Sequence, residues 1–250
     1  MEYHSSNVEG YINIKSDVGV ILPTYCEAAN IGQLIQEIEG LKQKISILVI
    51  DDSSPDGTTN VVRSLQKKYN NILLLVRPKK YGLGTAITDG FKVLLSLKNP
   101  PKYIVTMDAD YSHNPKDVPR VVFAAKEGKG LAIGSRYCKG GEIINWSLFR
   151  LATSRVANLI ASILVRARIH DYTSGLRCYS TKLVRTIVAD LHSQTYEIQI
   201  ETIRQAYRRK FDVREVPMTF VNRTKGKSKL AQKEIKEFLS YIMKVVSERK

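Results

Sequence analysis

Tyr103-Ile-Val-Thr-Met-Asp108-Ala-Asp110-Tyr-Ser-His-Asn-Pro115 joins a short apolar, β-branched run to two carboxylates one residue apart. Tyr103 to Met107 has the pattern of a buried strand, so Asp108 and Asp110 are expected at a strand's C-terminal end. In an open parallel sheet ligands bind at that edge, and two acids flanking one small residue offer hard oxygen ligands to Mg²⁺ or Mn²⁺ carrying a diphosphate. The same residues would also suit an acidic turn, since Asp and Asn are common where strands end. The surrounding chain has to separate the two readings.

Upstream the pattern repeats. Val18 to Leu22 reads as a buried strand stopped by Pro23, followed by Thr-Tyr25-Cys-Glu27-Ala-Ala-Asn30. Asn30 and Gln33 have the spacing of a capping box, with Ile31, Leu34, Ile35, Ile38 and Leu41 at helical intervals behind them. Ile45 to Ile50 is the next strand and also runs into carboxylates, Asp51-Asp52-Ser-Ser-Pro55-Asp56-Gly57, before a helix carrying Val62, Leu65 and Tyr69. Ile72 to Val76 leads into Arg77-Pro-Lys79-Lys80-Tyr81-Gly82-Leu-Gly84, a basic loop whose glycines suit either a phosphate contact or an ordinary turn. A helix with Ile87, Phe91 and Leu94 then returns the chain to Tyr103. Alternating strands and helices predict a mostly parallel α/β sheet with right-handed crossovers.

Downstream, a helix from Asp117 to Lys126 and a strand from Leu131 to Gly134 precede Ser135-Arg136-Tyr137. From Ser147 to Arg168 one helical stripe holds Leu148, Ala152, Val156, Leu159 and Ile163, widened by Leu151, Ile160 and Leu164, with Arg150, Arg155, Arg166 and Arg168 beside it. Such a pattern fits a helix lying in a membrane interface, and equally a core helix with solvated arginines. A polar turn, His170-Asp171-Tyr-Thr-Ser-Gly175-Leu-Arg177, leads to a strand-like segment, then a helix around Tyr196 to Ile203. Val213 to Phe220 is a strand whose Pro217 suits a sheet edge, and residues 231 to 249 read as an amphipathic helix.

With 250 residues, 43% hydrophobic and 25% charged, the chain suits one globular domain that needs no disulfide staples. The expected layout is a polar extension at 1–16, an α/β domain at 17–231 and the C-terminal helix at 232–250. No apolar run approaches the roughly 20 residues of a spanning helix, and the N-terminus lacks the layout of a secretory signal. Cys26, Cys138 and Cys178 show no metal spacing and suit a reducing compartment. The net charge of +15 attracts polyanions in general: phosphorylated substrates, an anionic membrane or nucleic acid. Nucleic acid fits least, because the basic residues do not interleave with aromatics and two carboxylate-bearing strand ends would repel a phosphate backbone.

Six segments occur here in one order: Val20-Ile-Leu-Pro-Thr-Tyr25-Cys-Glu27, Asp51-Asp52-Ser-Ser-Pro-Asp-Gly57, Gly82-Leu-Gly84-Thr-Ala, Met107-Asp-Ala-Asp110-Tyr-Ser-His, Gly134-Ser-Arg136-Tyr and Arg223-Thr-Lys-Gly226-Lys-Ser-Lys229-Leu. Together they resemble the dolichyl-phosphate mannosyltransferase branch of glycosyltransferase family 2. The resemblance implies the GT-A fold, an α/β Rossmann-like, mostly parallel sheet flanked by helices in a single domain. It implies inverting transfer of mannose from GDP-mannose to dolichyl or another polyprenyl phosphate, with Mg²⁺ or Mn²⁺. The nearest alternative keeps the acceptor and takes UDP-glucose.

The resemblance further implies that Pro23, Tyr25, Glu27, Ile50 and Asp52 hold the nucleoside, and that Asp108, Ala109 and Asp110 form the sugar-nucleotide and metal site. Ser112 stands where the family often has a metal-contacting Gln and is counted with Asp108 and Asp110 as a metal and substrate contact, with a water or a diphosphate oxygen as its possible substitute. Arg136 matches a binder of the lipid phosphate, and Arg223 and Lys229 match a closing loop that neutralises the diphosphate; the catalytic roles fall on Asp110, Arg136 and Arg223. The implied setting is the cytoplasmic face of a membrane, where the chain binds peripherally, with a small membrane subunit as a candidate partner. A lipid monophosphate, with a second pKa near ~6, is largely dianionic at neutral pH, so the reaction needs no histidine base.

Overall fold

The computed structural model describes residues 8–12, 15–41 and 43–222; Arg223, Lys229 and the expected C-terminal helix lie outside them. The strands are β1 (Val8–Gly10), β2 (Val18–Thr24), β3 (Ile45–Asp51), β4 (Ile72–Val76), β5 (Tyr103–Thr106), β6 (Leu131–Ser135), β7 (Glu142–Ile144), β8 (Arg177–Ser180), β9 (Val213–Pro217) and β10 (Thr219–Val221). The helices are α1 (Ala28–Glu39), α2 (Thr58–Gln66), α3 (Leu83–Ser96), α4 (Val118–Gly128), α5 (Leu148–Val165), α6 (Thr181–Ile187) and α7 (Ile198–Arg208). Eight strands form one sheet in the order β1-β4-β3-β2-β5-β8-β6-β9, and β7 pairs with β10 separately.

Strand periodicity sorts the core into two layers. Ile21, Leu48, Ile50, Leu73, Leu75 and Ile104 face α3, α5, α6 and α7, while Val20, Leu22, Val49, Leu74 and Val105 face α1, α2 and α4. From β2 the chain steps outward to β3 and β4, then returns to place β5 on the other side of β2. The direction of strand succession therefore reverses between β2 and β5, which opens a crevice at their C-terminal ends. Beyond β5 the sheet changes character: β8 runs antiparallel to both β5 and β6.

Three local expectations are corrected. β2 does not stop at Pro23 but continues to Thr24 in register with β3. Pro23 shares parity with Ile21, whose carbonyl accepts from the Met107 N–H, so its missing donor points toward β5, where pairing has already ended at Ile21. The Asn30 capping box does not form, because α1 begins at Ala28 and Asn30 is already inside it, donating to Glu27. Asp56 and Thr58 accept from the Ala28 and Glu27 N–H groups instead, so this helix is capped from a distant loop. Finally, the stretch expected as a polar extension at 1–16 contributes to the sheet, since Val8–Gly10 pairs with Leu73–Leu75 as an edge strand. Pro217 does close the sheet's other edge, at the end of β9.

Candidate active site

A cleft of about 270 Å³ lies over the C-terminal ends of β2, β3 and β5, lined by Pro23, Tyr25, Glu27, Ile50, Asp52, Asp108, Ala109 and Asp110. Eight of the residues expected to hold a sugar nucleotide and its metal are thus brought to one place from three strand ends; Ser112, expected with them, is not. Each connection leaves its strand through a left-handed residue, Cys26 (φ 59°), Ser53 (φ 54°) and Tyr111 (φ 61°). Such conformations are uncommon outside glycine and concentrate at functional sites.

The two acids after β3 have separate tasks. Asp51 is fully buried, taking Thr24 Oγ1 at 2.8 Å, Ser54 N–H at 2.8 Å and Ser54 Oγ at 2.6 Å, which ties the ends of β2 and β3 together. Asp52 faces the cleft. The acids after β5 also differ: Asp110 is buried and accepts the Ser112 N–H at 3.0 Å, whereas the Asp108 side chain is 36% exposed. The Asp108 N–H donates to His113 Nδ1 at 3.3 Å, so that ring is an acceptor there and neutral. Burial lowers the His113 pKa and holds it in that form. Gly175 backs Asp108, since a Cβ at 175 would lie 3.0 Å from its Oδ1.

Among the described residues no cluster of three His, Cys, Asp or Glu side chains forms. Two carboxylates nevertheless suit a small hard cation that retains waters and takes its other ligands from a diphosphate, so the donor set fits Mg²⁺ or Mn²⁺. Ser112 stands apart: it lines a second cavity with Glu37, Tyr111 and Met218, and its buried Oγ has no hydrogen-bond partner among the described residues.

Arg136 follows β6 and is buried away from the cleft lining. Its Nε and Nη2 grip Asp171 at 2.8 and 2.7 Å, Nη2 also reaches Thr173 Oγ1 at 2.6 Å, and Tyr137, Trp146 and Phe220 surround the guanidinium. Burial alone would raise the Asp171 pKa, but Arg136 and backbone donors hold it below the ordinary carboxylate range. Beside this pair Arg150 stacks on Trp146 at 4.2 Å and Arg155 on Tyr137 at 4.5 Å. Both come from the start of α5, where Ser147 accepts the Arg150 N–H as the cap.

Sequence reasoning missed several participants. Lys80, Tyr81, Thr195 and Tyr196 also line the cleft, and Lys80 lies 4.9 Å over the Tyr25 ring. The glycines of the basic loop serve backbone packing. A Cβ on Gly82 would meet Gln194 O at 2.4 Å and one on Gly84 would meet Ser193 O at 2.3 Å, while the Gly84 N–H already donates to Gln194 O. Arg177, counted from sequence among charges that attract polyanions, is wholly buried and donates to the carbonyls of Tyr172, Ser174 and Gln199. The signal that could have hinted at this is its place between Leu176 and Cys178 in a strand-like segment.

The architecture and the carboxylate-edged crevice at its switch point define a class: this is a GT-A type glycosyltransferase domain. The chain belongs to glycosyl transferase family 2, whose domain matches residues 19–188. It is 37% identical over 220 residues to the polyprenol monophosphomannose synthase of Mycolicibacterium smegmatis, covering 87% of this chain and 82% of that one. It is 36% identical over 233 residues to the dolichol-phosphate mannosyltransferase of Pyrococcus furiosus, covering 92% of this chain and 63% of the relative. Its shape is similar to glucosyl-3-phosphoglycerate synthase from Mycobacterium tuberculosis in complex with Mn²⁺, uridine diphosphate and glucosyl-3-phosphoglycerate, with a TM-score of 0.65, 17% identity and coverage of 94% and 80%. It is likewise similar to the mannosyltransferase PcManGT from Pyrobaculum calidifontis in complex with GDP-Man and Mn²⁺, with a TM-score of 0.58, 16% identity and coverage of 89% and 61%.

Proposed function

We propose that this glycosyltransferase moves mannose from GDP-mannose to a polyprenyl phosphate of the dolichyl type, with inversion, at the cytoplasmic face of a membrane. The observation that carries the reading is the cleft itself, where the nucleoside-side residues and the Asp108 and Asp110 carboxylates converge. The names of the two relatives support the sugar and the acceptor class.

In this reading Tyr25, Ile50 and Asp52 orient the nucleoside, and Asp108 and Asp110 hold Mg²⁺ or Mn²⁺. The cation would neutralise the diphosphate as it leaves. Asp108 and Asp110 would be its protein ligands, with Ser112 set apart in the second cavity. The acceptor phosphate, already an anion, attacks the anomeric carbon from the face opposite the departing diphosphate, which inverts that centre. Arg136 is assigned the acceptor phosphate: Asp171 and Thr173 occupy Nε and Nη2 and fix the guanidinium plane, which directs Nη1 to a phosphate oxygen. Arg223 and Lys229 are assigned the leaving diphosphate.

The lipid side is α5. By length and composition its 18 residues could cross a bilayer. Its inner side, Asn158, Ala161, Leu164 and Val165, is instead packed on the domain, while Leu148, Phe149, Val156, Leu159 and Ile163 face outward. An outward apolar face beside Arg155 and Arg166 is suited to lie in an anionic interface. A small membrane subunit would have the same surface available.

The test is transfer of labelled sugar from GDP-mannose and, in parallel, UDP-glucose to a short polyprenyl phosphate, with Mn²⁺ or EDTA. Metal-dependent transfer from GDP-mannose alone is the expected outcome; transfer from UDP-glucose instead would replace the donor and keep the acceptor. Asp110→Asn should lower turnover by about 100-fold or more with the melting temperature retained, because leaving-group charge is then poorly neutralised. Full activity in that variant would remove the metal role.

A further inference from the structure

Arg77 is 3% exposed and is not among the residues lining the cleft, yet its bonds reach two that are, Asp52 and Gly82, together with Thr85, which itself donates to the Gly82 carbonyl, and Asp89. Its Nε meets Asp52 Oδ1 at 2.5 Å, Nη1 reaches Thr85 Oγ1 at 2.8 Å and Asp89 Oδ2 at 3.1 Å, and Nη2 reaches Gly82 O at 3.1 Å. The guanidinium also lies 5.4 Å from the Tyr81 ring centre, and the Tyr81 N–H donates to the other Asp52 oxygen at 3.2 Å. The Arg77 backbone is itself anchored, its N–H donating to Asp51 O and its carbonyl accepting from Ser53 Oγ.

We infer that Arg77 is the positioning residue of the donor site: it acts on the nucleotide through Asp52 and the loop of residues 79–82, without touching the ligand. A carboxylate offers about four acceptor sites. Arg77 and the Tyr81 N–H engage one on each oxygen, and those bonds set which of the others face the cleft. The same guanidinium holds the Gly82 carbonyl, and so fixes where Lys80 and Tyr81 stand as the outer wall. Lysine cannot replace this arrangement, because a single ammonium has no planar fork to reach Asp52, Asp89 and Gly82 together.

The inference rests on the donor reading above, and the experiment separates the two. GDP binding by calorimetry, steady-state kinetics with the nucleotide sugar, and melting temperature would be measured for wild type, R77K, R77M, T85V, D52N and R77M/D52N. The expected result for R77M is a Kd for GDP and a KM for the donor raised about tenfold with kcat within about twofold, a coupling of ordinary size for contacting residues. R77K should fall between R77M and wild type. In the D52N background, R77M should add little. T85V removes a single Arg77 bond and should give a small rise in KM on a stable fold, which keeps the test valid if R77M does not fold. Equal, independent losses in the single and double variants would overturn the inference, as would a fall in kcat at constant KM or a T85V and R77K pair indistinguishable from wild type. A wild type that does not bind GDP would overturn the donor reading and this inference with it; a wild type that binds GDP while the variants match it would overturn the inference alone.

Discussion

Helices α1 and α5 carry the same kind of apolar stripe and do opposite things with it. In α1, Ile31, Leu34, Ile35 and Ile38 are fully buried against the sheet. In α5, Val156 is 55% exposed and Leu159 and Ile163 are each 61% exposed. What turns α5 is a different row of side chains. Asn158 points inward, accepting the Tyr172 N–H at 2.6 Å and donating to Ser154 O and Thr173 Oγ1, with the small Ala161 a turn further on. A polar anchor on the inner side leaves the apolar stripe outside. The contrast shows that helical spacing of apolar residues reveals a stripe but not what the stripe will touch.

That contrast can be broken at both helices. The largest effect is expected from L159E/I163E on α5. Withdrawing two side chains from a bilayer, at about 1.5–3 kcal/mol each, should weaken binding to anionic vesicles by about 100-fold or more while leaving the soluble melting curve nearly unchanged. Unaltered vesicle binding would return α5 to the role of an ordinary surface helix. On α1 the same class of residue should behave the other way: Ile35→Ala is expected to cost about 2–5 kcal/mol in urea unfolding. Leu159→Ala, its counterpart, should stay within about 0.5 kcal/mol. Single charge removals sharpen the electrostatic part. R155Q and R166Q should each weaken binding to anionic vesicles by about 1 kcal/mol and leave binding to neutral vesicles unchanged; equal losses on both lipids would exclude a charge contribution.

The second half of the molecule teaches a related lesson through its arginines. Arg136 and Arg177 look alike in composition, and by sequence both count among charges that attract polyanions. Arg136 is held by a carboxylate that keeps its charge and fixes its plane, whereas Arg177 spends its donors on carbonyls inside the fold. Asp171 stands 35 residues from Arg136 and Gln199 stands 22 from Arg177, so sequence does not pair them; Tyr172 and Ser174 lie in the turn just before Arg177, but nothing in that turn shows that the side chain folds back on its carbonyls. The donor side was far more legible. Its residues lie within a few positions of strand ends, and strand ends can be read from short β-branched runs such as Ile45–Ile50 and Tyr103–Met107.

Local pattern was therefore enough to establish the alternating α/β class, the order of the elements and the convergence of Asp52, Asp108 and Asp110 on one edge, since parallel strands joined by crossovers must end on the same side. It was not enough for the strand order past β5, the antiparallel entry of β8, the distant cap on α1, the buried partners of Arg77 and Arg136, or the outward turn of α5. Each of those depends on which segments far apart in the chain share a surface. Burial, ion pairing and capping are properties of such shared surfaces, and no single stretch of residues contains them.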